Sequence, residues 1–233
     1  MKVKVKSEYK ELVDLFTKLT GARSMWQVFN DCITMFAISI SNRLENNNIR
    51  EKEYLDIISN YKKSEVDVIL MIFVKIIDMA EENPFRDLLG ELYMQLGMGS
   101  DTLGQFFTPY TITKLMAETN VDINLTREEI SKKGYITVQE PACGGGANVI
   151  AVCEVLYNHD INYQKHCIVT CQDLSRVTAL MCYVVLSLLG CSAVVKVGDT
   201  FCDPYETFYK EKAKGSEIWV TPMFHLNNCY SKV

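Results

Sequence analysis

Tyr135-Ile136-Thr137-Val138-Gln139-Glu140-Pro141-Ala142-Cys143-Gly144-Gly145-Gly146-Ala147 is the stretch whose reading decides the fold. A short apolar run enters it, and a helical pattern over 148–157 leaves it. Strand, glycine turn, helix is an order that lets backbone approach a nucleotide-like ligand without side-chain obstruction. The helix start adds N–H groups that have no partner within the helix. Such turns are also glycine-rich for steric reasons alone, so the surrounding motifs decide what this one means.

Downstream the pattern alternates. Strands are expected near 136–139, 167–172, 193–197 and 217–221, and helices near 148–157, 176–189 and 205–213. That alternation implies a parallel sheet with right-handed crossovers. Asp173 and Asp199 then fall at carboxyl ends of strands, where open α/β sheets bind ligands. A carboxylate at Asp173 can accept hydrogen bonds from ribose hydroxyls, and it can equally cap the helix that follows.

Upstream the style is different. Trp26, Phe29, Ile33, Phe36, Ile40 and Leu44 recur at helical spacing, with Ser24 placed to cap the start. Asparagines 46–48 break that helix. Ser64 opens a second stripe through Ile69, Ile72, Phe73, Ile76 and Ala80, with Asp67 in a capping-box position. Asn83-Pro84 ends it, and 85–96 gives a further short helix. These stripes read as packing surfaces. The expected organisation is a helical region over 1–100 and an α/β core over 101–233, joined through a glycine-bearing linker at 97–108.

Composition narrows the function. The 233 residues are 48% hydrophobic, which supports a sizeable core. A net charge of −5 and a pI near 5.3 argue against nucleic-acid binding by bulk electrostatics. The lysines at 2, 4, 6 and 10 read as a solvated amino terminus. Nine cysteines occur without a C-x-x-C pair, the three histidines are scattered, and no signal peptide opens the chain. Reduced thiols in a cytoplasmic protein are the expectation, with no zinc site. Cys153, Cys182 and Cys191 read as small buried hydrophobes, and Cys167 and Cys171 share a strand face. The apolar stretch 68–77 is too short to span a bilayer.

Four segments in order carry a resemblance: Gly104-Gln105-Phe106-Phe107-Thr108-Pro109, then Glu140 to Gly146, then Cys171-Gln172-Asp173, then Gly198-Asp199-Thr200-Phe201. Over about 85–224 the chain resembles the adenine-N6 DNA methyltransferases of the modification-subunit type found in type I restriction systems. The resemblance implies a Rossmann-like, S-adenosylmethionine-dependent core. It implies that Phe107, Thr108 and Pro109 pack over the methionine end of that cofactor. Glu140, Ala142, Gly144 and Gly146 would form its turn, and Asp173 would hold its ribose. Asp199 would meet the adenine amino group, with Phe201 along the ring. Read locally, Thr108 and Pro109 also suit an N-cap and first helical position, and Asp199 also suits a turn cap.

The fourth motif departs from the pattern. The family's N-P-P-F or N-P-P-Y appears here as Val220-Thr221-Pro222-Met223-Phe224. By resemblance Thr221, Pro222 and Phe224 would hold a flipped adenine. Thr221 stands in place of Asn, and losing one preorganised polar group costs on the order of 100- to 1000-fold in rate. Asp203-Pro204-Tyr205 comes too early to replace it and reads as a helix start. The family's sheet also continues into further strands and a DNA-recognition region, so a core ending after the fourth strand is expected to expose an edge. A second copy or a partner chain would cover that edge. Two functions follow. The chain is either an S-adenosylmethionine-dependent adenine methyltransferase that holds DNA weakly alone, or an inactive, cofactor-binding partner or regulatory subunit. Methyl transfer to another acceptor is a third possibility.

Overall fold

The computed structural model describes residues 5–99, 107–204 and 217–227. The chain divides into two compact units. A helical unit holds 1–84 and 88–107, and an α/β unit holds 85–87 and 108–233.

The helical unit contains α1 (Lys10–Leu19), α2 (Met25–Glu45), α3 (Asn48–Ile58), α4 (Lys63–Glu82) and α5 (Leu88–Gln95). Ser24 caps α2 by accepting from the Gln27 amide at 3.1 Å. Asn46 ends α2 in the left-handed conformation, φ 48°, and Asn47 caps α3 through the Ile49 and Arg50 amides. At α4 the capping carboxylate is Glu65, not Asp67. It accepts from the Lys62 amide at 2.7 Å because the cap lies two residues earlier than the sequence suggested. Phe29 lies between Phe16 and Tyr93, with ring centroids 5.8 and 5.6 Å away. Leu12, Ile33, Ile72 and Ile76 are buried in the same unit.

The α/β unit runs α6 (Tyr110–Asn120), α7 (Ile123–Lys133), β1 (Ile136–Glu140), α8 (Ala147–Asn158), α9 (Tyr163–His166), β2 (Cys167–Asp173), α10 (Arg176–Leu188), β3 (Ser192–Val197), β4 (Glu217–Val220) and α11 (Pro222–Leu226). The expected helix at 205–213 lies outside the described residues. α6 is fixed to α8 by Glu154, which accepts from the Tyr110 hydroxyl at 2.8 Å and pairs with Lys114 at 2.6 Å. α7 lies in a polar stretch of the sequence before β1. Asp122 caps it at the Leu125 amide, and Gly134, φ 86°, ends it.

The sheet order among the described strands is β1-β2-β3-β4. β1, β2 and β3 are parallel, as the alternating pattern requires. β2 and β3 are buried nearly throughout and lose the period of two, as strands covered on both faces do. β1 keeps an alternating burial pattern as an edge strand.

β4 corrects the expectation of an all-parallel sheet: it runs antiparallel to β3, with Val194 opposite Val220 and Val197 opposite Glu217. Side chains at both its ends account for the direction. At the start, the Arg176 guanidinium bonds both Glu217 carboxylate oxygens, at 2.9 and 2.8 Å. In between, Trp219 is fully buried against Tyr183, centroids 5.3 Å apart. At the end, the buried Thr221 hydroxyl accepts from the Ala193 amide at 2.8 Å and lies 2.7 Å from the Cys191 carbonyl, to which it can donate. Phe224 then fills a core cluster with Ile168, Val194 and Val220.

Thr221→Val should therefore lower the stability of the α/β unit by about 1–3 kcal/mol, since the Ala193 amide loses its acceptor in a buried place. Thr221→Asn should lower it further, because the position is fully buried and the side chain is larger. Urea denaturation followed by Trp219 fluorescence, in a Trp26→Phe background, reads this directly. An unchanged midpoint in both variants would contradict the assigned packing.

Candidate functional site

The parallel register places the carboxyl ends of β1, β2 and β3 side by side: Glu140 is opposite Cys171, and Asp173 is opposite Val197. The glycine turn closes on itself through Glu140. One carboxylate oxygen accepts from the Ala142 amide at 3.1 Å and the other from the Asn148 side chain at 3.0 Å. Gly144 and Gly146 both have positive φ, 51° and 96°. At Gly146 a Cβ would also sit 3.2 Å from Cys182 Sγ and from Val185 on α10. Glycine is required there for helix packing as well as for backbone geometry.

Asp173 joins the strand ends. Its Oδ2 accepts from the Gly144 amide at 2.8 Å, and its Oδ1 accepts from the Ser175 amide at 2.9 Å and the Thr178 hydroxyl at 2.8 Å. It therefore holds both the glycine turn and the first turn of α10. An ionised carboxylate has roughly four lone-pair directions, and these three bonds use three of them. Two backbone ties complete the arrangement: Cys143 N–H to the Gln172 carbonyl and Gly198 N–H to the Asp173 carbonyl, each 2.9 Å.

The β3 end carries the third carboxylate. Asp199 Oδ1 accepts from the Phe201 amide at 2.8 Å and the Cys202 amide at 3.3 Å. Those two amides hold its carboxyl below the usual carboxylate range. Thr200 donates to the Pro141 carbonyl at 2.5 Å, tying this turn to the glycine turn. Phe201 is 97% exposed beside it. Beneath lies Lys196, which sequence reasoning missed. It is fully buried, pairs with Asp203 Oδ1 at 2.7 Å and donates to the Asp203 carbonyl at 2.9 Å. Gln172 donates to the same carbonyl at 2.9 Å, while its own Oε1 is buried without a partner. A lysine inside an otherwise apolar strand, seven positions before an aspartate, was the available signal.

Three carboxylates, a glycine turn and an exposed aromatic ring thus converge at one end of a parallel sheet. The set suits a ligand with hydroxyl or cationic donors and a flat ring. The N-6 DNA methylase family matches the sequence over residues 85–227. The chain belongs to that family. No curated protein matches it.

Other residues singled out from the sequence are carried by other segments of this methylase-family chain. Phe107 belongs to the helical unit, edge-on to Tyr93 at 5.4 Å. Gly104, Gln105 and Phe106 lie outside the described residues. Pro109, not Thr108, is the residue before the first helical position of α6, and its carbonyl accepts from the Ile112 amide at 2.8 Å. Both are exposed. Thr221, Pro222 and Phe224 follow β4, whose carboxyl end pairs with the amino-terminal half of β3. That separates them from the glycine turn by on the order of 15 Å along β3. Phe224 is fully buried. A cavity of about 600 Å³ beside Tyr135, Thr137 and Val138 lies between α7 and β1, away from the strand ends.

Cys143 continues the turn inward. The thiols of Cys171 and Cys182 hydrogen-bond to it and hold its pKa below the usual thiol range, at about 6.

Two expectations follow. Asp173→Asn should destabilise the protein without any ligand by about 1.5–3 kcal/mol, because three donors lose a charged acceptor. A denaturation midpoint equal to the wild type would contradict this. Asp199 gives a pH dependence. Its folded pKa is depressed, so its stabilising effect is present above the unfolded value of about 3.9 and is lost as pH falls through the folded value. Hydrogen exchange at the Phe201 and Cys202 amides should stay slow at mildly acidic pH and rise only below the usual carboxylate range. A rise beginning near pH 5 would contradict it.

Proposed function

We propose that this methylase-family chain binds S-adenosylmethionine at the carboxyl ends of β1, β2 and β3, and that the β4 end supplies no working adenine grip. The observation that carries the reading is the convergence of Glu140, Gly144, Asp173 and Asp199 beside the exposed Phe201. In this reading the remaining lone pair of Asp173 accepts a ribose hydroxyl. Asp199 takes the adenine amino group, and Phe201 lies along the ring. The acidic rim complements the cationic sulfonium and ammonium groups. The bound cofactor would supply an activated methyl group, and the protein would act by orienting an acceptor towards it.

The inactive-homologue reading is favoured by one further observation. The Thr221 hydroxyl is engaged with the backbone of 191–193, and Phe224 is a core residue. Neither reaches the end of the sheet where Asp173 lies. The acidic balance also gives little attraction for phosphate.

Calorimetry with S-adenosylmethionine and its demethylated product tests the first half. Binding at one site per chain is expected, and Phe201→Ala should weaken it roughly tenfold, at the lower end of what stacking on a base contributes. That position is exposed, so the substitution leaves the core intact. No heat of binding, or equal binding by the variant, would overturn the assignment. Labelled-methyl transfer to mixed-sequence DNA tests the second half: background counts are expected, and robust turnover would overturn it.

A further inference from the structure

We propose that Cys143, Cys171 and Cys182 form a binding site for one soft, thiophilic cation beneath the glycine turn. The inference goes beyond the cofactor reading and does not depend on it. The three residues come from three different elements: the turn, β2 and α10. Their sulfur atoms all lie within 4.8 Å of one another. All are free thiols, and they are 5%, 0% and 0% exposed. A trigonal site with metal–sulfur bonds near 2.3 Å places its sulfurs about 4 Å apart, inside that limit.

The donor set decides the class of ion. It contains three sulfurs and neither imidazole nor carboxylate, which favours filled-shell soft cations over magnesium, calcium or manganese. Binding a divalent ion breaks three S–H bonds, forms three metal–sulfur bonds and releases three protons to solvent, with no change of oxidation state. One net negative charge is left. α8, twelve residues long, starts at Ala147 directly after the turn that carries Cys143, so its positive end offsets that charge. Pro141 and Ala142, directly before Cys143 in the chain, are exposed.

The remaining buried cysteines do not match this arrangement. Cys153 and Cys191 approach each other at 3.9 Å, but no third metal-ligating group joins them among the described residues. The cluster escapes a spacing argument because its members are far apart in sequence and meet only when β1, β2 and α10 pack. An ion there would fix Cys143 and, through it, the turn that begins at Gly144.

Cadmium(II) is the probe, added to the reduced full-length chain in a Cys202→Ser, Cys229→Ser background. One equivalent should bind with a sulfur-to-cadmium charge-transfer band, and X-ray absorption should count three sulfur neighbours. Cys171→Ala and Cys182→Ala should each weaken binding by more than the roughly 10–100-fold that loss of an outer-shell partner costs. Cys153→Ala should leave it unchanged. No band at one equivalent would overturn the proposal, as would a full band in both cluster variants or a loss in Cys153→Ala. Should the variants fail to fold, the sulfur count on the unaltered cluster decides: three supports the site, fewer overturns it.

Discussion

The Asp173 carboxylate is the tie on which the carboxyl end of this sheet depends. Its bonds to the Gly144 amide, the Ser175 amide and the Thr178 hydroxyl connect β1's turn, β2 and α10 at one point. A charged acceptor with several donors is among the stronger local interactions available to a protein. The residue proposed to meet a ribose is thus also the residue that joins the strand ends. In the proposed cofactor reading, ligand binding and local order are coupled there, because a single anion would serve both.

β4 shows how one strand direction alters what a motif can do. The residues Thr221-Pro222-Met223-Phe224 match the family pattern only in part, and their environment explains more than their identity does. The Thr221 hydroxyl completes the hydrogen bonding of the chain at 191–193, and Phe224 completes the core at Ile168 and Val194. Both side chains are structural where they lie. The Arg176–Glu217 pair, close to Asp173, sets the other end of β4. The strand is held from both ends in the antiparallel sense.

Much of the fold could be read from the sequence, and the failures have physical causes. The glycine turn, the three parallel strands and the caps at Ser24 and Asn46 were legible because they rest on local chemistry: apolar runs, positive φ and side-chain oxygens next to free amides. α7 was missed because its few apolar residues give it little periodicity, although Asp122 and Gly134 bracket it as cap and stop. The direction of β4 was not legible, since a four-residue strand carries no directional signal and its orientation comes from Arg176 and Ala193, far away in sequence. The partners of Lys196 and the meeting of the three cysteines were not legible for the same reason. A buried charge or a thiol cluster acquires its partners only through tertiary contact. Of the candidate site, Glu140, Gly144, Asp173, Asp199 and Phe201 come together, while Thr221, Pro222 and Phe224 do not.

The central claim is that the chain's ligand end is the carboxyl edge of β1, β2 and β3, and that the β4 end is not part of it. Amide chemical-shift mapping of the labelled protein with S-adenosylhomocysteine tests this most directly. The expected result is a set of shifted amides at Gly144, Gly145, Leu174 and 199–202, with Thr221, Phe224 and His225 unmoved. Shifts concentrated at 221–225, or no saturable shift anywhere in the α/β unit, would contradict it.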